Sequence, residues 1–170
     1  LLLHGVAGHM QMHSPIPRGD PRNKEYGEST TLLSAPLNGR KNPGKFPCRY
    51  QKEGPITAKY TAGKNFTVEF MQGSPHMGGH CQFAFSYDNG KTWVVLRTII
   101  DMCFEGKAPY TYSVALPKGA RNGRGLLGWA YINAGGNLEY YMNCADVEVS
   151  GGSDEGSLTG PELLVARMPG

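Results

Sequence analysis

The chain has 170 residues, of which 39% are hydrophobic and 18% charged, with a formal net charge of +3. That suffices for one domain with its own core, is too little for two, and excludes a disordered composition. The basic residues are not gathered into one aromatic-laced stripe, so nucleic acid is not expected as a partner. The 24 glycines and 12 prolines follow no collagen-like period and point to many turns and long loops.

In chain order, residues 1–8 (LLLHGVAG) read as the end of a signal-peptide apolar region. Val6 and Gly8 are small enough for a signal peptidase site, which makes His9 the first residue of a secreted protein. The alternative, an apolar N-terminal strand, leaves His9 an ordinary histidine. No later segment of about twenty apolar residues marks a membrane span. A polar segment follows over 15–55, rich in Pro, Gly, Asn and charge, read as long loop with short helical turns. Its basic residues, Arg18, Arg22 and Lys24, then Arg40, Lys41, Lys45, Arg49 and Lys52, form either a solvated face or a surface for an anionic polymer.

From residue 56 the pattern changes to strands. Residues 56–60 are β-branched and aromatic, and Phe66, Val68 and Phe70 alternate with Thr67 and Glu69. Strands are expected at 81–87 and 91–100, joined by Asn89-Gly90 as a tight hairpin turn, then at 110–116, 126–133 and 138–149. Short strands with turn signals between them predict an all-β protein, an immunoglobulin-like or fibronectin-like antiparallel sandwich with long loops. Residues 9–150 make the domain. Residues 151–170 are a loose C-terminal extension in which 163–166 could add one last strand. Asn65-Phe66-Thr67 is a glycosylation sequon, consistent with secretion.

Cys48, Cys81, Cys103 and Cys144 show no CxxC spacing, so zinc-ribbon and thioredoxin readings fail. Widely spaced cysteines in a small chain fit two disulfides in an oxidising compartment, with three pairings open. A mature N-terminal His9 offers two metal ligands, its α-amine and an imidazole nitrogen. With a third nitrogen from another histidine, that set favours copper. The third nitrogen belongs to the segment from His76 to Cys81, where His76 and His80 both qualify and glycines let the loop approach another surface. On the last long strand Glu139, Tyr141 and Asn143 share one face, and Tyr140, Met142 and Cys144 the other. A carboxylate and a phenol together beside a metal would orient what binds there. No nucleophile triad, phosphate loop or evident glycosidase carboxylate pair stands out.

The stretches HMQMHSPIPRGD, FPCRY, GSPHMGGHCQ and LLGWAYINAGGNLEYYMNCADVEV, in this order, resemble the copper-dependent lytic polysaccharide monooxygenases, in particular fungal auxiliary activity family 11 and its relatives. The resemblance spans residues 9 to about 150. It implies one copper ion held by the His9 amine and imidazole and by His76, with Tyr141 axial and Glu139 beside it. It also implies disulfides Cys48–Cys144 and Cys81–Cys103. Leu138 stands where the family often has arginine. The implied reaction is oxidative cleavage of a polysaccharide, chitin first, with pectin or cellulose as other substrates, using O2 or H2O2 and an external electron donor. A secreted monomer that meets no membrane is expected. The competing reading is a non-catalytic secreted copper-binding protein of the same fold.

Overall fold

A computed structural model describes residues 10–26, 33–37, 46–71 and 73–166. The signal-peptide reading of 1–8, His9, and the loop cations Arg40, Lys41 and Lys45 lie outside them. Among the described residues there are seven strands: β1 Ala58–Thr61, β2 Asn65–Phe70, β3 Gly79–Ser86, β4 Val94–Cys103, β5 Tyr110–Ala115, β6 Gly123–Asn133 and β7 Tyr140–Ser150. Five form one sheet in the order β1-β7-β6-β3-β4, and β2 pairs with β5 in a second. The result is the expected all-β sandwich. No described helix is long and apolar enough to cross a membrane.

The core follows from period-two alternation. Phe66, Val68 and Phe70 of β2 and Tyr110 and Val114 of β5 are buried. They face Cys81, Phe83 and Phe85 of β3, Leu127, Trp129 and Tyr131 of β6, and Tyr141, Ala145 and Val147 of β7. Burying each large side chain contributes about 1.5–3 kcal/mol. The outer face of the large sheet is covered too. Ala84, Ala130, Tyr140, Met142 and Cys144 pack there with Leu37 and Leu163, which come from the long loop and the C-terminal segment. β7 is therefore buried on both sides along nearly its whole length.

Three features depart from the expectation. β1 runs parallel to β7, because the chain reaches it by a long crossover rather than a hairpin. Asn89 and Gly90 do take the left-handed conformation (φ 58° and 86°), but within a wider loop. The ladder ends at the Phe85–Val94 pair, since side chains capture the intervening N–H groups. Ser86 Oγ accepts from Gly90 (2.8 Å), and Asp88 accepts from Lys91 and Thr92 (3.1 and 2.9 Å). Residues 163–166 form no strand. The pairing there is a single bridge between Glu162 and Val94.

The disulfides are Cys48–Cys144 and Cys81–Cys103, the pairing that the resemblance implies. The long loop includes 3-10 turns at Lys24–Tyr26 and Cys48–Tyr50. It is fastened to β7 by a buried charge pair. Arg18 donates to both oxygens of Asp146 (2.7 and 2.6 Å), and Arg124 adds a contact of 2.9 Å. Arg18 is thus not part of a solvated cationic face, nor is Arg49, which is 7% exposed. Asp146→Ala, which leaves Arg18 buried without its carboxylate, is expected to lower the unfolding free energy by about 3–5 kcal/mol, read as a shifted midpoint in urea titration.

Candidate metal centre

The N-terminal segment sets the position of this region. Met10 and Met12 are fully buried in the core. Met10 forms a bridge with Gly73, His13 N–H donates to the Glu69 carbonyl (2.7 Å), and Met12 N–H donates to Asn143 Oδ1 (2.8 Å). The segment therefore ties β2 to β7 and leaves the described residues at Met10, beside the chain that leads from Gly73 to His76.

His76 sits in a tight turn closed by a hydrogen bond from Gly78 N–H to the Pro75 carbonyl (2.9 Å). Both central residues, His76 and Met77, have positive φ, at 46° and 68°. Such a turn usually uses Asn or Gly, so two ordinary side chains here store strain that the surroundings must enforce. Ala134 N–H donates to the Gly78 carbonyl (2.7 Å), Gly135 N–H donates to the His76 carbonyl (2.9 Å), and the Tyr131 hydroxyl lies within 2.8 Å of the Gly78 carbonyl. Gly79 is obligatory, because a Cβ there would lie 2.1 Å from the Ile132 carbonyl oxygen.

Glu139 arrives from the opposite side. Asn133 at the end of β6 is buried and organises the intervening loop. Its amide donates to the carbonyls of Gly135 and Asn137 (2.6 and 2.9 Å), and its oxygen accepts from Glu139 N–H (2.6 Å). The Glu139 carboxylate then accepts a short hydrogen bond from the Tyr141 hydroxyl. The same oxygen, Oε2, stands 3.4 Å from Nε2 of His76, whose side chain is 31% exposed. Burial holds the Tyr141 phenol well above its usual pKa, and the hydrogen bond to Glu139 adds to that effect, so the phenol stays protonated.

An imidazole nitrogen, a carboxylate oxygen and a protonated phenol thus meet at one end of the sheet. The imidazole nitrogen and carboxylate oxygen are donors of a kind that copper takes, but among the described residues no group of three or more His, Cys, Asp and Glu could hold a metal ion, so a site here would need further nitrogen ligands. His9, which sequence reasoning assigns to that role, lies outside the described residues. His80 is not brought into this group. It projects from the outer face of β3, where its Nδ1 accepts from Asp101 N–H (3.2 Å) and its Nε2 stands 3.4 Å from the Asp101 carboxylate.

Three contributors escaped sequence reasoning. Asn133 and Tyr131 brace the two loops. The only signal for Asn133 was an Asn closing a strand before Ala-Gly-Gly. The third is Arg49, in the 3-10 turn that Cys48 bonds to β7. Cys48, Arg49 and Tyr50 all have positive φ (54°, 58° and 56°), which turns Arg49 inward. Its guanidinium and the Tyr141 phenol are close enough to act on each other electrostatically.

No family model matches the chain. Among curated proteins it is 39% identical over 174 residues to AA11 family lytic polysaccharide monooxygenase A of Aspergillus fumigatus, covering 96% of this chain and 76% of that protein. It is 31% identical over 170 residues to an AA11 family lytic polysaccharide monooxygenase of Aspergillus oryzae, covering 88% of this chain but 37% of that longer protein. Among solved structures, a cellulose-active polysaccharide monooxygenase from M. thermophila superposes with a TM-score of 0.53 at 15% identity, over 62% of this chain and 59% of that one. That likeness shows a shared sandwich fold. The sequence identity, sustained over almost the whole chain, shows more: this chain belongs to the AA11 family of lytic polysaccharide monooxygenases, the copper-dependent enzymes that oxidise polysaccharides.

Proposed function

We propose that this chain is secreted and cleaves a polysaccharide oxidatively at one copper ion. The His9 amine and imidazole and His76 would hold the ion, with the Tyr141 phenol and the Glu139 carboxylate beside it. The observation that carries this reading is the convergence of His76, Glu139 and Tyr141 next to the point where the chain passes Met10. Among the described residues no three His, Cys, Asp or Glu side chains could hold a metal ion, so the reading requires the nitrogens of His9.

Bound copper supplies one-electron chemistry towards O2 or H2O2, with an external donor reducing it first. The chain's own residues do the rest. The strained His76 turn, clamped by Tyr131 and Gly79, fixes the imidazole before any ligand arrives. Tyr141, kept protonated, presents a neutral oxygen and closes one side of the site against water. Glu139 accepts the hydrogen bond from the Tyr141 hydroxyl and could receive or return a proton beside the His76 imidazole.

The substrate reading follows from what surrounds His76. Residues 73–79 and 134–138 carry no charged side chain, and Met77 and Leu138 are exposed at 87% and 54%. That rim favours a neutral polymer, chitin first and cellulose second, over pectin. The burial of Arg18 and Arg49 removes part of the case for an acidic glycan.

The test compares protein beginning at His9 with protein carrying one additional residue before it. Tight copper binding with a nitrogen-rich Cu(II) paramagnetic resonance signal is expected only from the first. Equal binding by both sinks the His9 site. Tight binding with no oxidised oligosaccharides from chitin, cellulose or pectin leaves a copper-binding protein without this activity. In the active protein, Glu139→Gln is expected to reduce the rate of oxidised-product release by about 10–100-fold, with copper affinity changed far less. Products are quantified by mass spectrometry and affinity by competition titration.

A further inference from the structure

The two-stranded sheet presents a face of short side chains to solvent. Phe66, Val68 and Phe70 point into the core, so Asn65, Thr67 and Glu69 point away from it. Across the ladder these three stand opposite Ala115, Ser113 and Thr111, all exposed. Only Glu69 on this face is long. The outer face of the large sheet differs, since Leu37 and Leu163 pack there. A pair of strands is marginal by itself. Arg97 of β4 supports one edge of the pair, where it donates to the Ser113 carbonyl.

Asn65 opens that face. It is the first residue of β2 and follows a turn in which Lys64 N–H donates to the Thr61 carbonyl (3.1 Å) and Gly63 takes a φ of 77°. Leu116 fastens the turn in both directions. Gly63 N–H donates to the Leu116 carbonyl (2.8 Å), and Leu116 N–H donates to the Lys64 carbonyl (3.0 Å). Leu116 and Phe66 are both buried, which fixes the Asn65 side chain outward. Asn65-Phe66-Thr67 is also the one Asn-x-Ser/Thr sequence in the chain. Its amide and its hydroxyl lie exposed on the same face, and the residue opposite the amide, Ala115, presents only a methyl group. All four cysteines are paired, as on the oxidising secretory route where such sequences are glycosylated.

We propose that Asn65 carries an N-linked glycan whose first sugars lie over the outward face of the β2–β5 sheet. The inference rests on the secretion proposed above and is independent of the copper ion. The donor is a lipid-linked oligosaccharide pyrophosphate. A bond forms between Asn65 Nδ2 and C1 of the first sugar, and the bond from C1 to the pyrophosphate oxygen breaks. One proton leaves Nδ2, the lipid pyrophosphate departs, and nothing is oxidised or reduced. The hydroxyls of Thr67, Ser113 and Thr111 line the face as partners for sugar hydroxyls. The glycan is rooted at the start of β2, whereas the chain leaves for His76 from the other end of that strand, about 17 Å away.

The experiment sends the protein, beginning at His9, through a fungal secretory host behind the host's own leader, and maps the secreted product by peptide mass spectrometry. Wild-type protein and Thr67→Ser should carry a glycan on the peptide that contains Asn65. Asn65→Gln and Thr67→Val, which remove the acceptor amide and the hydroxyl in turn, should carry none. Unmodified Asn65 in secreted wild-type protein with both disulfides formed overturns the proposal, as does an undiminished glycan in Thr67→Val. The covering of the sheet is read by hydrogen exchange. Residues 65–70 and 110–115 should exchange several-fold more slowly with the glycan in place than after its complete enzymatic release, and equal exchange overturns that part. The host's leader delivers the chain whatever residues 1–8 do. An unmodified Asn65 therefore counts against this proposal and not against the secretion reading, which is judged by where the protein goes under its own leader.

Discussion

The burial of Met10 and Met12 is the constraint on which the rest depends. Two large apolar side chains are driven into the seam between the sheets, with a stabilisation of about 1.5–3 kcal/mol each. The residues between and after them are then forced outward: Gln11 donates to Asp20, and the His13 carbonyl accepts from Arg22. Asp20 is buried. Its desolvation is outweighed by hydrogen bonds from Arg22 and Gln11, which hold its pKa below the usual carboxylate value. The segment is thereby registered on both faces, and its N-terminal end cannot slide relative to Gly73. The ligand set proposed above would begin at a chain terminus, normally the most mobile part of a protein, and would need this kind of anchoring.

β7 is the second organising element, because it gathers the links that other segments make. Tyr141 donates its hydroxyl hydrogen to Glu139. Asn143 receives Met12 N–H and donates to the Leu33 carbonyl (2.9 Å). Cys144 binds the Cys48 turn, and Asp146 binds Arg18, Arg124 and the Gly54 N–H (3.1 Å). The first two point inward and the cysteine outward, so a single strand ties the N-terminal segment on one side and the long loop on the other. A parallel β1 completes its protection at the edge. A strand buried on both faces has little freedom to shift, which makes it a suitable mount for a phenol whose placement matters.

Much of this was legible in the residues, and the reasons are local. Alternation in 66–70 and 139–144 fixed which side chains share a face, because a strand's period admits no compromise. Residue chemistry could not choose between His76 and His80. That choice depended on the turn at 75–78 curling one histidine towards Glu139 while β3 carried the other to its outer face. The Asn-Gly hairpin was right in backbone conformation and wrong in length, since Ser86 and Asp88 compete for the same N–H groups that a tight hairpin would use. Arg49 was the least legible of all. A cation in a polar, proline-rich loop reads as solvated, and only the disulfide and three left-handed residues bring it inside.

The strain in the molecule is not spread evenly. Among the described residues, eight non-glycine positions have positive φ, and five of them fall in two short runs, Cys48 to Tyr50 and His76 to Met77. One run carries the histidine and the other Arg49, a buried cation with no hydrogen-bond partner among the described residues, and both are held by β6 and β7 or the loops that join them. Asp88 and Asp146, by contrast, are well bonded, Asp88 capping its loop and Asp146 holding Arg18 and Arg124. Strain concentrated in two tight turns is what a pre-organised site would require. The large sheet supplies surplus stability through its two-sided core, and that surplus lets two tight turns be held in conformations they would not choose alone.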